Sequence, residues 1–167
     1  MSTEVLFTEQ QRFRQWWLWL IVSGVAGIAV VSTVKKIMDH AYHPGNYIAL
    51  LILPGIMVLF AILFFLCRLD TIIKSDGIDV RFYPFHLRFK HYPWSSITKA
   101  YTRLYAPLTE YGGWGLRFGV FGKGTAFNVS GNMGLQLEFI NGSKLLIGTR
   151  KPEQINTVLH SLGQYRQ

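Results

Sequence analysis

Acidic side chains are scarce in this sequence: nine Asp or Glu stand against seventeen Lys or Arg in 167 residues, and only 16% of the chain is charged. So few carboxylates leave little material for general acid–base chemistry. A chain this lightly charged is also neither a disordered tail nor a charge-laced coiled coil. A single cysteine, Cys67, excludes an intramolecular disulfide and with it a disulfide scaffold. It reads as an inert thiol at the edge of an apolar run, since Phe65-Leu66 before it lacks the small residue that lipid attachment needs. Phosphate-binding motifs are missing too. Gly122-Lys123 is followed by Gly124 instead of Ser or Thr, and Arg117 stands where a P-loop has its first glycine. Gly113-x-Gly115 has no third glycine at the dinucleotide offset. No Ser, His and acid arrangement stands out, and the dispersed basic residues form no nucleic-acid motif. The sequence therefore implies no cofactor, no metal and no nucleic-acid partner.

Apolar residues are abundant, at 50% of the chain with 15% aromatic and a mean hydropathy of +0.22. They crowd into the first 67 positions. Trp16 to Val34 carries no charge, and at about 1.5 Å per residue such a helix just crosses a hydrocarbon core of ~30 Å. Residues 48–66 hold fourteen Leu, Ile, Val or Phe, worth roughly −4 to −8 kcal/mol of insertion before Pro54 and Gly55 subtract from it. The first run has nine such residues, worth roughly −3 to −5 kcal/mol, offset by Ser23, Gly24, Gly27, Ser32 and Thr33. Ser23 and Gly27 lie one turn apart and offer a second helix close approach, so the two runs are expected to form a helical hairpin. A cleaved signal peptide is the competing reading, because Arg12 and Arg14 precede the first run. That run is long for a signal, lacks a small-x-small cleavage site, and is soon followed by the second.

Charge counting orients the pair. Arg12 and Arg14, with Arg68, Lys74 and Arg81, outnumber Lys35 and Lys36 in the connection, which places both termini in the cytoplasm. Trp16, Trp17 and Trp19 then form one interfacial belt, and Tyr42 and Tyr47 the other. His40 and His43, with Asp39 nearby, read as polar caps of the connection and not as metal ligands. The expected organisation is a cytoplasmic segment 1–15, a first span 16–34, an external loop 35–47, a second span 48–67 and a cytoplasmic domain 68–167.

Past Arg68 the apolar residues alternate, as in half-buried antiparallel strands. Ile78, Val80 and Phe82 form one strand after Asp76-Gly77, and Leu87 and Phe89 a second. Further strands fall at residues 97–105 and 114–121. Leu135, Leu137 and Phe139 lead into Asn141-Gly142, read as a type I′ turn, and Lys144 to Thr149 returns. Pro152 then opens a helix in which Ile155, Val158, Leu159 and Leu162 share a face, and Gly163 ends it. About seven antiparallel strands and one C-terminal helix imply a bent sheet or split barrel whose open end the helix covers.

Across residues 16–163 the order of two apolar runs, then TIIKSDGIDVRF, YPWSSITKAYTRLY and LEFINGSKLLIGTRKPEQINTVL, resembles small bacterial membrane proteins with a pleckstrin-homology-like domain behind a transmembrane helical hairpin. The DGI opening of a strand, the aromatic-x-x-Ile step at Trp94 to Ile97 and the GTRKPEQI ending before a helix carry the likeness. The segment EYGGWGLRFGVFGKGTAFNVSGNMG is unusual for that family and suggests a narrower, uncharacterised branch. The resemblance implies a PH-like split barrel on a bacterial inner-membrane, multi-pass anchor.

Two candidate surfaces follow. Residues 68–167 carry thirteen Lys or Arg against six Asp or Glu, a net +7. Held close to the bilayer by a short connection, Arg68, Lys74, Arg88 and Lys90 form a possible basic rim facing anionic lipid. The Gly-rich stretch 112–134 provides bends or, with Tyr111, Trp114, Arg117 and Phe118, a partner-binding loop. The expected function is a non-catalytic, membrane-tethered interaction module whose partner is a protein or a second copy of the chain. Recognition of anionic headgroups is the alternative, and a pocket gathering Glu110, Arg117 and His91 would be the sign of an enzyme.

Overall fold

The computed structural model describes residues 4–13, 16–38, 47–119 and 123–166. The chain divides into two compact units, one made of residues 14–66 and the other of residues 1–13 together with 67–167.

The first unit holds α1 (Trp16–Met38) and α2 (Tyr47–Leu66). α1 runs past the expected end at Val34, so Lys35 and Lys36 fall in its last turn, where they complement the negative end of the helix dipole. The hydroxyls of Ser32 and Thr33 both donate to the Ala29 carbonyl, at 2.9 and 2.8 Å, so neither is left unsatisfied in an apolar helix. Shielded positions recur along α1 at Trp19, Val22, Ala26, Ala29 and Thr33, and along α2 at Pro54, Met57, Ala61 and Phe64. The helices touch, with Trp19 edge-on to Phe65 at 6.4 Å. Ala26 and Ala29, not the expected Ser23 and Gly27, supply the small residues of the covered stripe. Ser23 and Gly27 sit about 100° round the helix from Val22 and Ala26, and a Cβ added to Gly24 or Gly27 would meet nothing. Within α1, Trp19–Met38 is long and apolar enough to cross a membrane, while the apolar stretch of α2 among the described residues, Pro54–Leu66, is shorter. Asp39, His40, Tyr42 and His43 lie outside the described residues.

The second unit is β-rich, with nine strands among the described residues. β1 (Val5–Arg12), β2 (Arg68–Lys74), β3 (Gly77–Tyr83) and β4 (Lys90–Pro93) form one sheet in that order. The other sheet contains β5 (Ile97–Leu104), β6 (Gly115–Phe118), β7 (Thr125–Asn128), β8 (Met133–Phe139) and β9 (Lys144–Gly148), ordered β5-β8-β9-β7-β6. Two helices complete it, the short α3 (Pro107–Tyr111) and the C-terminal α4 (Pro152–Ser161).

Several sequence expectations are corrected. The segment before α1 is a strand: β1 pairs antiparallel with β2 from Val5↔Lys74 to Arg12↔Arg68, so residues 1–13 belong to the β unit and it does not begin at 68. Its signal is masked because two inward positions are polar. Phe7 is buried as a strand core residue should be, but so are Glu9 and Gln11. Residues 84–89 form turns and bends, and the strand begins only at Lys90. β7 and β9 pair in parallel, so the strands are not all antiparallel. The β8–β9 turn has three residues, not two. Gly142 N–H donates to the Phe139 carbonyl and Gly142 alone takes the left-handed conformation, at φ 78°, which marks a three-residue loop with a glycine bulge.

The C-terminal helix behaves as its spacing requires. Pro152 stands in the first turn, Ile155 and Leu159 are fully buried, and Gly163 reverses the chain at φ 63°. α4 lies against β5, β1 and β8. Leu69, Ile73, Ile78, Val80 and Phe82 from one sheet and Leu135, Leu137 and Ile147 from the other are withdrawn from water, each worth about 1.5–3 kcal/mol in apolar burial.

Candidate functional site

The end of the four-stranded sheet at which the chain leaves β1 and enters β2 is set by one register, Arg12↔Arg68↔Tyr83. The Arg68 guanidinium lies 5.2 Å over the Tyr83 ring and 3.3 Å from Asp70. Arg81 also reaches Asp70, with its Nε and a terminal nitrogen donating at 3.0 and 2.7 Å, and Gln10 donates to the same carboxylate at 2.8 Å. Lys74 stands at the opposite end of β2, six residues or ~20 Å away. There it is 2.7 Å from Asp79, which also meets His91 Nδ1 at 2.6 Å. The hydrogen bond and charge of Asp79 raise the Lys74 pKa. Burial favours a neutral Asp79, but Lys74 and His91 outweigh it and hold the carboxyl below its ordinary value. Arg88 and Lys90 are exposed, with no ion-pair partner among the described residues. The four candidate rim residues therefore do not form one cluster. Two are engaged by internal carboxylates and two are free.

The Gly-rich candidate loop also separates. Tyr111 is buried, edge-on to Tyr105 at 6.0 Å and packed with Ala126 and Leu146, so it is a core residue. Burial pushes the phenols of Tyr105 and Tyr111 up. Trp114 is half-buried and its indole N–H donates to the Gly131 carbonyl at 3.1 Å. Arg117 is exposed and folds back to donate to the Trp114 carbonyl. Phe118 is 78% exposed at the end of β6, the outer strand of its sheet. Among the described candidate residues of the loop, Phe118 at that edge presents the apolar surface.

On the five-stranded sheet lies a polar cleft of about 340 Å³, lined by Tyr101, Arg103, Glu110, Lys123, Gln136 and Lys144 among others. Its charges are satisfied internally. Arg103 clasps Glu110 with two nitrogens at 2.9 and 3.3 Å, Lys123 approaches the same carboxylate at 3.2 Å, and Lys144 pairs with Glu138 at 3.2 Å. Glu110 also accepts the Ala106 N–H at 2.9 Å, which ties the start of α3 to the network. Burial opposes ionisation of Glu110, yet Arg103, Ala106 and Lys123 hold its pKa down at about 2. A carboxyl so acidic is an anchor and a poor proton donor at neutral pH. Arg117 and His91 do not line this cleft; His91 sits on β4 beside Asp79. Among the described residues no three His, Cys, Asp or Glu side chains gather to hold a metal.

Sequence reasoning missed two groups. Glu9 and Gln11 reach from β1 to the other sheet: Gln11 donates to the Gly148 carbonyl at 2.7 Å, and the Glu9 carboxylate accepts Thr149 Oγ1 at 2.6 Å and Arg150 N–H at 2.9 Å. The sequence could have flagged them only as polar residues in an alternating run. The second group is the exposed pair Phe85 and Leu87; the alternation rule places Leu87, with Phe89, in a strand and passes over Phe85. No protein-family model matches this chain, and no curated protein shows significant sequence similarity to it.

Proposed function

We propose that this protein is a membrane-anchored interaction module without catalytic activity: a transmembrane helical hairpin carrying a PH-like split barrel on the cytoplasmic face of a bacterial inner membrane. Topology supports the hairpin. β1 precedes α1, β2 follows α2, and the two strands are hydrogen-bonded neighbours. They must lie on one side of any bilayer, so a crossing by α1 obliges a return through α2. Exposure supports the membrane: Ile28, Val31, Leu59 and Phe65 are among many large apolar side chains that the helical unit leaves uncovered, an arrangement stable in lipid and costly in water.

The observation that carries the binding role is the uncovered small-residue face of α1. A shallow groove runs past Ser23, Gly24, Gly27, Val31 and Ser32, and among the described residues no side chain of α2 comes within reach of a Cβ added at Gly24 or Gly27. In lipid, small residues at this spacing let another helix approach closely. A second copy or a partner helix seated there yields larger species in mild detergent, and a Ser23→Cys chain crosslinks through that face. Gly27→Leu fills the groove and abolishes the larger species. A chain that stays monomeric, and recovers no partner after crosslinking in native membranes, refutes the assignment.

A second reading is favoured by Arg88 and Lys90, the two rim cations without internal carboxylates. They would recognise anionic headgroups, each contributing about 1 kcal/mol near a charged leaflet. Contact of the β unit with vesicles should then rise with anionic lipid and fall with salt.

A further inference from the structure

β3 ends at Tyr83, beside Arg68, at the same edge of the sheet where the chain departs for α1 and returns from α2. The link from β3 to β4 is therefore a loop at that edge, and its backbone is anchored. His86 N–H donates to the Phe82 carbonyl at 2.8 Å, and the His86 ring packs edge-on to Phe127 of the other sheet at 5.2 Å. Burial, then Lys90, lowers the His86 pKa, so this anchor is neutral at pH 7. Phe89 is held beneath the Arg81 guanidinium at 4.4 Å. Leu87, between these fixed points, is 74% exposed. Phe85, just before His86, leans one side of its ring on Phe82 at 5.9 Å and leaves 55% exposed, with the free cations Arg88 and Lys90 nearby.

Covalent reach supplies the occupant. Cys67 alone separates α2 from β2, so Arg68 lies within about 7 Å of the end of α2. Tyr83 is the neighbour of Arg68 across the ladder, about 5 Å away. The polar layer on each side of a bilayer is itself roughly 5–8 Å thick. We propose that the loop Pro84–Phe89 is a second membrane contact, seating Phe85 and Leu87 in the interfacial layer of the bilayer that α1 and α2 cross, with Arg88 and Lys90 at its headgroups. This rests on the reading of α1 and α2 as spans. Apolar tips with flanking cations are the chemistry of an interfacial anchor.

The test uses the full chain in vesicles of neutral and anionic phospholipid. In a Cys67→Ala background, nitroxide labels are placed singly at Leu87→Cys, at Asp76→Cys in the turn at the opposite end of the sheet, and at Ile28→Cys in α1. The Leu87 label should collide more with oxygen than with a water-soluble nickel chelate, as the Ile28 label does, and the Asp76 label should show the reverse. The unaltered chain gives an independent reading by hydroxyl-radical oxidation, which should spare Leu87 and modify Ile140, which is similarly exposed at 71%. If Ile28 is in lipid while Leu87 is open to the nickel chelate and oxidised like Ile140, the loop contact is wrong and the spans stand. If Ile28 is also in water, both fall.

Discussion

Placing β1 in the β unit makes a demanding prediction: both helices can be removed without loss of that unit, but residues 1–12 cannot. Arg12 and Arg68 are opposed in an antiparallel ladder, their Cα atoms about 5 Å apart, a gap that a short turn closes. Replacing residues 14–66 by Asn-Gly joins Phe13 to Cys67 in a four-residue loop. Treated as a flexible loop, the closure shrinks from about 55 residues to four, which contributes at most ~2 kcal/mol in favour of folding. Deleting β1 acts the other way. It exposes the surface under Phe7, about 1.5–3 kcal/mol, and strips partners from the Gly148 carbonyl, Thr149 Oγ1 and Arg150 N–H, about 1–3 kcal/mol each. The sum is on the order of 5–10 kcal/mol, comparable with the whole stability of an ordinary domain. The excised protein, carrying Phe85→Ser and Leu87→Ser to suppress association through the exposed tips, should give a β-type circular dichroism spectrum and one cooperative urea transition without detergent. Residues 68–167 alone should show neither. A transition for 68–167 matching that of the excised protein would refute the role given to β1, and an excised protein with no transition would refute the autonomy of the unit.

Other substitutions probe the same unit by urea denaturation. Glu9→Gln puts an amide against Thr149 and Arg150 and should cost about 2–3 kcal/mol with an unchanged m-value. Glu110 titrates lower in the folded protein than its ordinary 4.5, at about 2, so its stabilisation is full above about pH 4.5 and is lost as pH falls through about 2. The shift sets a ceiling of ~3 kcal/mol, which water in the cleft screens to about 1–2; Glu110→Gln should flatten that part of the acid limb. Gly124 holds φ 79°, and a Cβ there would run into the Lys144 carbonyl. Gly124→Ala should therefore cost more than the ~1 kcal/mol of a tolerated left-handed alanine, and an unchanged midpoint would count against the close approach of these segments.

Legibility in the sequence followed how purely each element obeys one periodicity. α4 was readable because Pro152, the Ile155 and Leu159 spacing and Gly163 agree on one answer. β3 and β8 were readable because a single apolar face alternates with polar residues, and β9, whose Leu145, Leu146 and Ile147 do not alternate, because it returns from the Asn141-Gly142 turn. β1 was hidden because its inward face bears Glu9 and Gln11, whose burial is compensated by each other and by Gly148 to Arg150, about 140 residues away. Leu87 and Phe89 misled for the converse reason. They alternate as a strand would, but with Phe85 they surround an anchor at His86, which local pattern cannot reveal. The rim Arg68, Lys74, Arg88 and Lys90 was chosen by charge alone, and charge does not disclose that Asp70 and Asp79 already occupy two of its members. Tyr111 was chosen as aromatic surface, yet the turn of α3 carries it into the core with Tyr105.

The proposed loop contact has a dynamic consequence for the β unit. The chain connections at Phe13 and Cys67 adjoin β1 and β2, whose ends Arg12 and Arg68 share one register with Tyr83. Under the proposal, Phe85 and Leu87 add a constraint on the β unit at the bilayer beyond these two covalent ones. Phe85→Ser with Leu87→Ser should therefore leave insertion and the Ile28 label environment unchanged while the label at Asp76, about 20 Å along the sheet from Arg68, reports faster and broader motion. The change should be reproduced by high salt only in part, because salt weakens the Arg88 and Lys90 attraction and not apolar burial. An Asp76 label whose spectrum is indifferent to the double substitution would mean that something other than this loop orients the β unit.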